Sequence, residues 1–177
     1  MKRPLVVAIL AVLSLLAAAP GQAEVYLVRH ADRDGDHDRL ASPAGTDRAL
    51  ALAERLAGVG IVAIFSTETH RTQATVWPLA ERLGLPVQGY DGVRELRTRL
   101  REVRRRDPRA RVLVVGHSNT VPEIVTRLGA ALPAGLPLTR QGWLHHDDYD
   151  NLVILSFEAR DRVRARHATY GSATAPP

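Results

Sequence analysis

The sequence predicts an α/β domain built on a doubly wound, mostly parallel sheet in three layers, closed by a C-terminal hairpin. Three observations carry this expectation. Short Val/Leu/Ile-rich runs alternate with segments of helical periodicity, the pattern of successive βαβ units. The last two apolar runs follow one another with no helix between them. Two of the earlier runs end abruptly in Arg29-His30 and Gly116-His117, at the carboxyl strand ends where such sheets place their ligands.

The chain has 177 residues, enough for one domain with a single core. Met1 to Ala23 has two cations, an uncharged apolar run from Leu5 to Ala19, a helix-breaking Pro-Gly and small residues before Glu24. That is the build of a signal peptide over residues 1–23, cleaved near Ala23, and it predicts a periplasmic or secreted product. The apolar run is shorter than the roughly 20 residues of a spanning helix, so no stable membrane anchor is expected after cleavage. There is no cysteine, which excludes disulfides, thiolate zinc sites and a lipidated cysteine.

The domain is expected over residues 24–171. "EVYLVRH" reads as a strand buried on both faces. The next segment is a helix with Ser42 as N-cap, Pro43 at the first position, an apolar stripe through Ala49, Leu52, Ala53 and Leu56, and Gly58 or Gly60 as the stop. "IVAIFST" is a second strand, and "THRTQATVWPLAERLG" a second helix in which Pro78 predicts a kink or break. "LPVQGY" is a short third strand. The following helix spaces Val93, Leu96, Leu100 and Val103 at helical intervals, leaving its arginines on a solvated face. "RVLVVGHSNT" is a fourth strand, "VPEIVTRLG" a helix, and "NLVILSFEARDRVRARHATYG" a hairpin turning near Arg160-Asp161. Residues 172–177 read as a disordered tail.

Composition narrows the function classes. The formal charge is +5; without Lys2 and Arg3, 22 basic side chains face 19 acidic ones, leaving +3. That is too mild to argue nucleic-acid binding. His30 and His117, 87 positions apart, can face each other across one crevice. Arg29 and Arg71 add two guanidiniums, and a pocket of up to four cations suits a tetrahedral dianion such as phosphate.

"LVRHAD", "STETHRTQAT" and "VLVVGHSNT" together resemble the histidine phosphatase superfamily, which includes the phosphoglycerate mutase-like and histidine acid phosphatase folds. The match runs in order from Val25 to Thr120, and "YDNLVILSF" also fits. The resemblance implies that His30 is the nucleophile and that Arg29, Arg71 and His117 hold the phosphoryl oxygens, with no cofactor and no metal. Arg33 stands where the acid phosphatase branch often has a second phosphate-binding arginine. The implied partner is a small phosphorylated substrate.

The proton donor departs from the family pattern, since Ser118 follows His117 where acid phosphatases place an aspartate. Asp32 and Asp91 are the candidate acids, with Glu95 behind them on a helix. A missing strong acid would favour substrates with good leaving groups. "DRDGDHD" and His145 to Asp148 have metal-ligand residue types, but the first breaks the EF-hand pattern and adjacent side chains of the second rarely converge on one ion. His37 and His70 read as surface residues, and Trp77 and Trp143 as packing residues. The expected function is an exported, metal-independent phosphohydrolase working through a phosphohistidine. The alternatives are a non-catalytic phosphate or phosphosugar binder on the same fold, a phosphomutase, for which a mature chain of 177 less 23, or 154, residues leaves little room, or a metal-dependent hydrolase using the two acidic clusters.

Overall fold

A computed structural model describes residues 22–35, 37–40, 43–158 and 162–174. Six strands form one sheet in the order β3-β2-β4-β1-β5-β6. The strands are β1 (Glu24–Arg29), β2 (Ile61–Ser66), β3 (Val87–Gly89), β4 (Arg111–Gly116), β5 (Asn151–Phe157) and β6 (Val163–Thr169). The first four are mutually parallel, whereas β5 runs antiparallel to β1 and carries β6 on the edge. The doubly wound sheet and the edge hairpin are as expected from the sequence.

The helices are α1 (Ala44–Leu56), α2 (His70–Leu83), α3 (Gly92–Arg106) and α4 (Thr120–Arg127). Alternate residues of each central strand point to opposite faces, and both faces are apolar. Val25, Leu27, Val112, Val114, Val153 and Leu155 meet α3 and α4. Tyr26, Val28, Leu113, Val115, Leu152 and Ile154 meet α1 and α2. Leu27, Leu52, Leu96 and Leu113 are fully buried, which explains why "VYLV" and "VLVV" read as unbroken apolar runs rather than alternating ones.

Several local expectations need correction. α2 is continuous through Pro78; Val76, Leu79 and Ala80 are buried on either side of it and anchor both halves, so the backbone bond that proline cannot make does not split the helix. Trp77 and Trp143 do not pack: they are 58% and 49% exposed. Trp77 falls off the buried stripe of Thr72, Thr75, Val76 and Leu79, and Trp143 precedes the residue that turns inward, Leu144. Pro43 stands at the N-cap position of α1 rather than within it. Ser42, the hairpin turn at Arg160-Asp161 and residues 1–21 lie outside the described residues. Ser172 and Thr174, at the start of the expected tail, are tied down: the Ser172 carbonyl accepts from Arg48 at 3.0 Å, and Thr174 Oγ1 accepts from the Tyr149 N–H at 3.2 Å.

The feature that positions the site is the β1–β4 register. Arg29 is paired with Gly116, and the His30 N–H donates to the Gly116 carbonyl at 2.9 Å. The residues that follow, His30 and His117, therefore leave the sheet side by side. Gly116 is required there, because a Cβ would lie 2.6 Å from Thr120 Oγ1 and 3.1 Å from the Tyr90 hydroxyl. Thr120 Oγ1 accepts the His117 N–H at 2.8 Å, and the Tyr90 hydroxyl donates to the Val115 carbonyl at 3.1 Å. Gly116→Ala must push these groups apart. It is expected to cost about 1–3 kcal/mol of stability, read from urea unfolding, and a change within error of zero would show that the strand end is looser than this packing implies.

Candidate active site

Arg29 and His30 are 2% and 3% exposed, so the strand ends on polar groups taken out of water. One end of the Arg29 guanidinium is met by backbone: Nη1 donates to the carbonyls of His145, His146 and Asp148 at 3.1, 2.7 and 3.3 Å. Its guanidinium carbon lies 4.1 Å from the Tyr149 ring centroid, a cation–π contact. Arg29 Nε is buried without an acceptor among the described residues, as is Arg71 Nε. Burial lowers the Arg29 pKa, and Arg33 close by lowers it further while Tyr149, Asp147 and Asp148 oppose the shift.

The two imidazoles stand 5.6 Å apart between ring centroids, edge to face. His30 Nδ1 is 2.8 Å from the Ala31 carbonyl oxygen. A carbonyl can only accept, so Nδ1 carries the proton and the Nε2 lone pair is free. The Ala31 N–H donates to Thr75 Oγ1 at 2.8 Å, and Thr75 donates to the Arg71 carbonyl at 2.7 Å. His117 Nδ1 faces Arg71 Nη2 at 3.3 Å. Since a guanidinium has no acceptor, Nδ1 accepts and Nε2–H donates to Thr67 Oγ1 at 2.9 Å. Thr67 in turn donates to Thr72 Oγ1 at 3.0 Å.

Both histidines are strongly biased to the neutral form. His30 is pushed down to about 3 by burial first and by Arg29, Arg71 and His117, against the opposing bond to Ala31. His117 is pushed down to about 4 by burial, then Arg71 and Arg29, with Asp38 opposing. His30 can therefore act as a nucleophile at neutral pH without first losing a proton.

Arg71 is aimed by Asp38. The Asp38 carboxylate accepts the backbone N–H groups of His70 and Arg71 at 2.9 and 3.2 Å and Arg71 Nη1 at 2.7 Å. It thus supplies the cap that Thr69, the N-cap residue of α2, does not. Burial alone would raise the Asp38 pKa, but these three bonds and the Arg71 charge hold it below the usual carboxylate range.

The residues expected from the sequence divide clearly. Arg29, His30, Arg71 and His117 come together, and Arg33 lies near Arg29, where it also forms an isolated bridge with Leu40. The candidate acids are engaged elsewhere. Asp32 is ion-paired to the buried Arg48, which also donates to the carbonyls of Tyr170 and Ser172 at 3.3 and 3.0 Å. Asp91 is exposed at the start of α3, and its N–H donates to Glu95 Oε2 at 2.7 Å. That bond and Arg99, 2.5 Å from Oε1, hold the Glu95 pKa down. The His145–Asp148 segment brings backbone carbonyls to Arg29, and among the described residues no three His, Cys, Asp or Glu side chains gather as a metal set.

Sequence reasoning missed Thr67, Thr72, Thr75, Asp38 and Tyr149. Tyr149 tilts over His30 with ring centroids 5.9 Å apart. The available signal was in α2, where Thr72 and Thr75 occupy fully buried positions of an otherwise apolar stripe.

Residues 25–100 match the family described as histidine phosphatase superfamily (branch 1). No curated protein sequence matches the chain significantly. Among solved structures, the complex of mycobacterial glucosyl-3-phosphoglycerate phosphatase with inorganic phosphate is 19% identical, with a TM-score of 0.57 over 85% of this chain and 97% of that one. A structure titled mycobacterial hydrolase 1 is 18% identical, with a TM-score of 0.58 over 85% and 99%. A protein from Nakamurella multipartitia assigned as the phosphohistidine phosphatase SixA is 21% identical, with a TM-score of 0.55 over 88% and 99%.

The histidines also give a pH signature. An imidazole that stays neutral when folded but protonates near 6.5 when unfolded binds more protons in the unfolded state at mildly acidic pH. Its stabilisation is present above pH 6.5 and is lost as pH falls towards the folded values. Urea unfolding should therefore weaken between pH 6.5 and 4, by up to about 1.4 kcal/mol per pH unit for each histidine, and His30→Asn should flatten that slope. A wild-type stability independent of pH over this window would contradict neutral, desolvated histidines. The match over residues 25–100 and the architecture of the whole domain give one conclusion: the chain carries the sequence pattern and the fold of the histidine phosphatase superfamily.

Proposed function

We propose that the protein is an exported, metal-independent phosphatase that acts on small phosphomonoesters through a phosphohistidine at His30. The observation that carries this reading is a neutral imidazole whose Nδ1 proton is held by the Ala31 carbonyl and whose Nε2 has no partner among the described residues, beside the buried Arg29 and the partly exposed Arg71. A phosphate monoester dianion repels nucleophiles, so neutralising its oxygens with pre-placed cations is the main catalytic task. Arg29 and Arg71 serve as the oxygen-holding groups, with Arg33 at the margin, and His117 joins them when its Nε2–H turns from Thr67 to a phosphoryl oxygen.

His30 Nε2 forms the N–P bond as the P–O bond to the leaving group breaks, and the released electron pair stays on the leaving oxygen. Water then forms a new P–O bond as the N–P bond breaks, returning the lone pair to Nε2 and releasing inorganic phosphate. Neither step calls on a metal. The phosphatases that share the fold support this chemistry, and the segment over residues 1–23 supports export.

The leaving oxygen must also gain a proton. Asp32 is committed to Arg48 and Glu95 to Arg99, while Asp91 is exposed at the α3 terminus. This supports substrates whose leaving groups need little protonation. The same observation favours the second reading, a non-catalytic phosphate binder on the same scaffold.

Hydrolysis of aryl phosphates with EDTA present separates these readings. Wild type should turn over nitrophenyl phosphate, His30→Ala should lose at least about 10³-fold of the rate, and phenyl phosphate should be cleaved far more slowly. Equal rates for wild type and His30→Ala would remove His30 as nucleophile. Stoichiometric phosphate binding without turnover would favour the binder. Activity abolished by EDTA and restored by a divalent ion would replace the scheme with a metal-dependent one.

A further inference from the structure

The leaving oxygen is the one reacting atom of the proposed scheme that no side chain has yet met. Asp32 and Glu95 are ion-paired elsewhere and Asp91 is exposed at the α3 terminus. A hydroxyl beside His30 can meet it instead. Strand order brings Tyr149 there: His117 leaves β4 on one side of β1, and Tyr149 precedes β5 on the other. The His30 ring lies between the two, with centroids 5.6 Å from His117 and 5.9 Å from Tyr149. The loop that carries Tyr149 is fixed from both directions. Arg29 donates to its carbonyls at His145, His146 and Asp148, and the Tyr149 N–H donates to Thr174 Oγ1 at 3.2 Å.

Ring and hydroxyl have separate surroundings. The ring is half-buried, and the Arg29 guanidinium carbon lies 4.1 Å from its centroid. The hydroxyl has no hydrogen-bond partner among the described residues, yet it is not buried, unlike the partnerless hydroxyl of Tyr170. A cation–π contact needs only the ring, which phenylalanine would also supply. The hydroxyl therefore has no role in the packing of Arg29. Burial lowers the Arg29 pKa, and Tyr149 opposes that shift more than Asp147 or Asp148 does, so the Tyr149 oxygen lies within the field of the guanidinium.

The geometry of displacement selects which oxygen this hydroxyl meets. Attack and departure are in line on phosphorus. With His30 Nε2 about 3–3.5 Å from phosphorus, the leaving oxygen stands on the far side, about 5 Å from Nε2. The Tyr149 ring is at that range from His30, and its hydroxyl opens towards the solvent from which a substrate enters. Arg29 and Arg71 take the non-bridging oxygens in the scheme above. The bridging oxygen is left for Tyr149.

We propose that the Tyr149 hydroxyl donates a hydrogen bond to the leaving oxygen as its bond to phosphorus breaks, stabilising the electron pair left there without handing over a proton. The inference rests on the His30 phosphatase reading. Its test is kcat/KM, which reports phosphoryl transfer to His30 and not the later N–P hydrolysis, over aryl phosphates ranked by the acidity of the phenol released. Wild-type rates should fall towards phenyl phosphate. Tyr149→Phe keeps the ring over Arg29 and should steepen that fall, losing about 100-fold on phenyl phosphate and about tenfold or less on nitrophenyl phosphate, while the thermal unfolding midpoint stays that of wild type. Tyr149→Leu should lower every rate by a further common factor and keep the steeper slope. A residue that only packs on Arg29 would lose one factor from all substrates. The wild-type slope in Tyr149→Phe or in Tyr149→Leu would overturn the proposal and leave His30 as nucleophile. No turnover by wild type would remove the phosphatase reading and this inference with it.

Discussion

A guanidinium buried to 2% exposure at the end of a central strand is the constraint on which the rest of the site depends. Arg29 meets three backbone carbonyls from residues 145–148 rather than a carboxylate. Carbonyls satisfy N–H groups without cancelling the positive charge, so the pocket keeps its field while paying only part of the cost of burial. The same bonds tie the loop before β5 to β1. That loop carries Tyr149 over both Arg29 and His30, and Leu144 next to it is anchored through its N–H to the Ser118 carbonyl at 2.8 Å.

The electrostatics follow from the uncancelled charge. The cations that lower the histidine pKa values are the ones proposed to hold a phosphoryl dianion. The two effects are one interaction: a site that disfavours added positive charge favours added negative charge by the same reasoning. Hydrogen bonding then chooses the tautomers. The Ala31 carbonyl puts the His30 proton on Nδ1, and Arg71 forces the His117 proton onto Nε2, with Thr67 and Thr72 behind it. The Ala31 carbonyl, Thr67 and Thr72 settle orientation without needing to touch a substrate, as is usual where a reactive imidazole must present one nitrogen, whereas Arg71 both orients His117 and is proposed to hold an oxygen.

Much of this was legible in the sequence because the decisive residues sit at element boundaries. Arg29, His30 and His117 follow unbroken apolar runs, and strand alternation with helices implied a parallel sheet whose carboxyl ends converge. The supporting shell was not legible, because its members meet only through tertiary structure. Asp38 reaches α2 across 32 positions, and Arg29 reaches its carbonyls across more than a hundred. Asp32 reads as a free acid beside His30 until Arg48 arrives from α1. Pro78 and the two tryptophans were misjudged because local propensity cannot see which neighbours anchor a helix or which face a loop residue takes.

The central claim is that His30 Nε2 forms a covalent bond to phosphorus. Rapid mixing with nitrophenyl phosphate followed by an alkaline quench, with intact-mass and fragment analysis, tests it most directly. The account predicts a base-stable, acid-labile phosphoryl group on His30, bonded at Nε2 and absent from His30→Ala. Turnover with no phosphoryl group trapped on the protein, or one trapped at a residue other than His30, would contradict it.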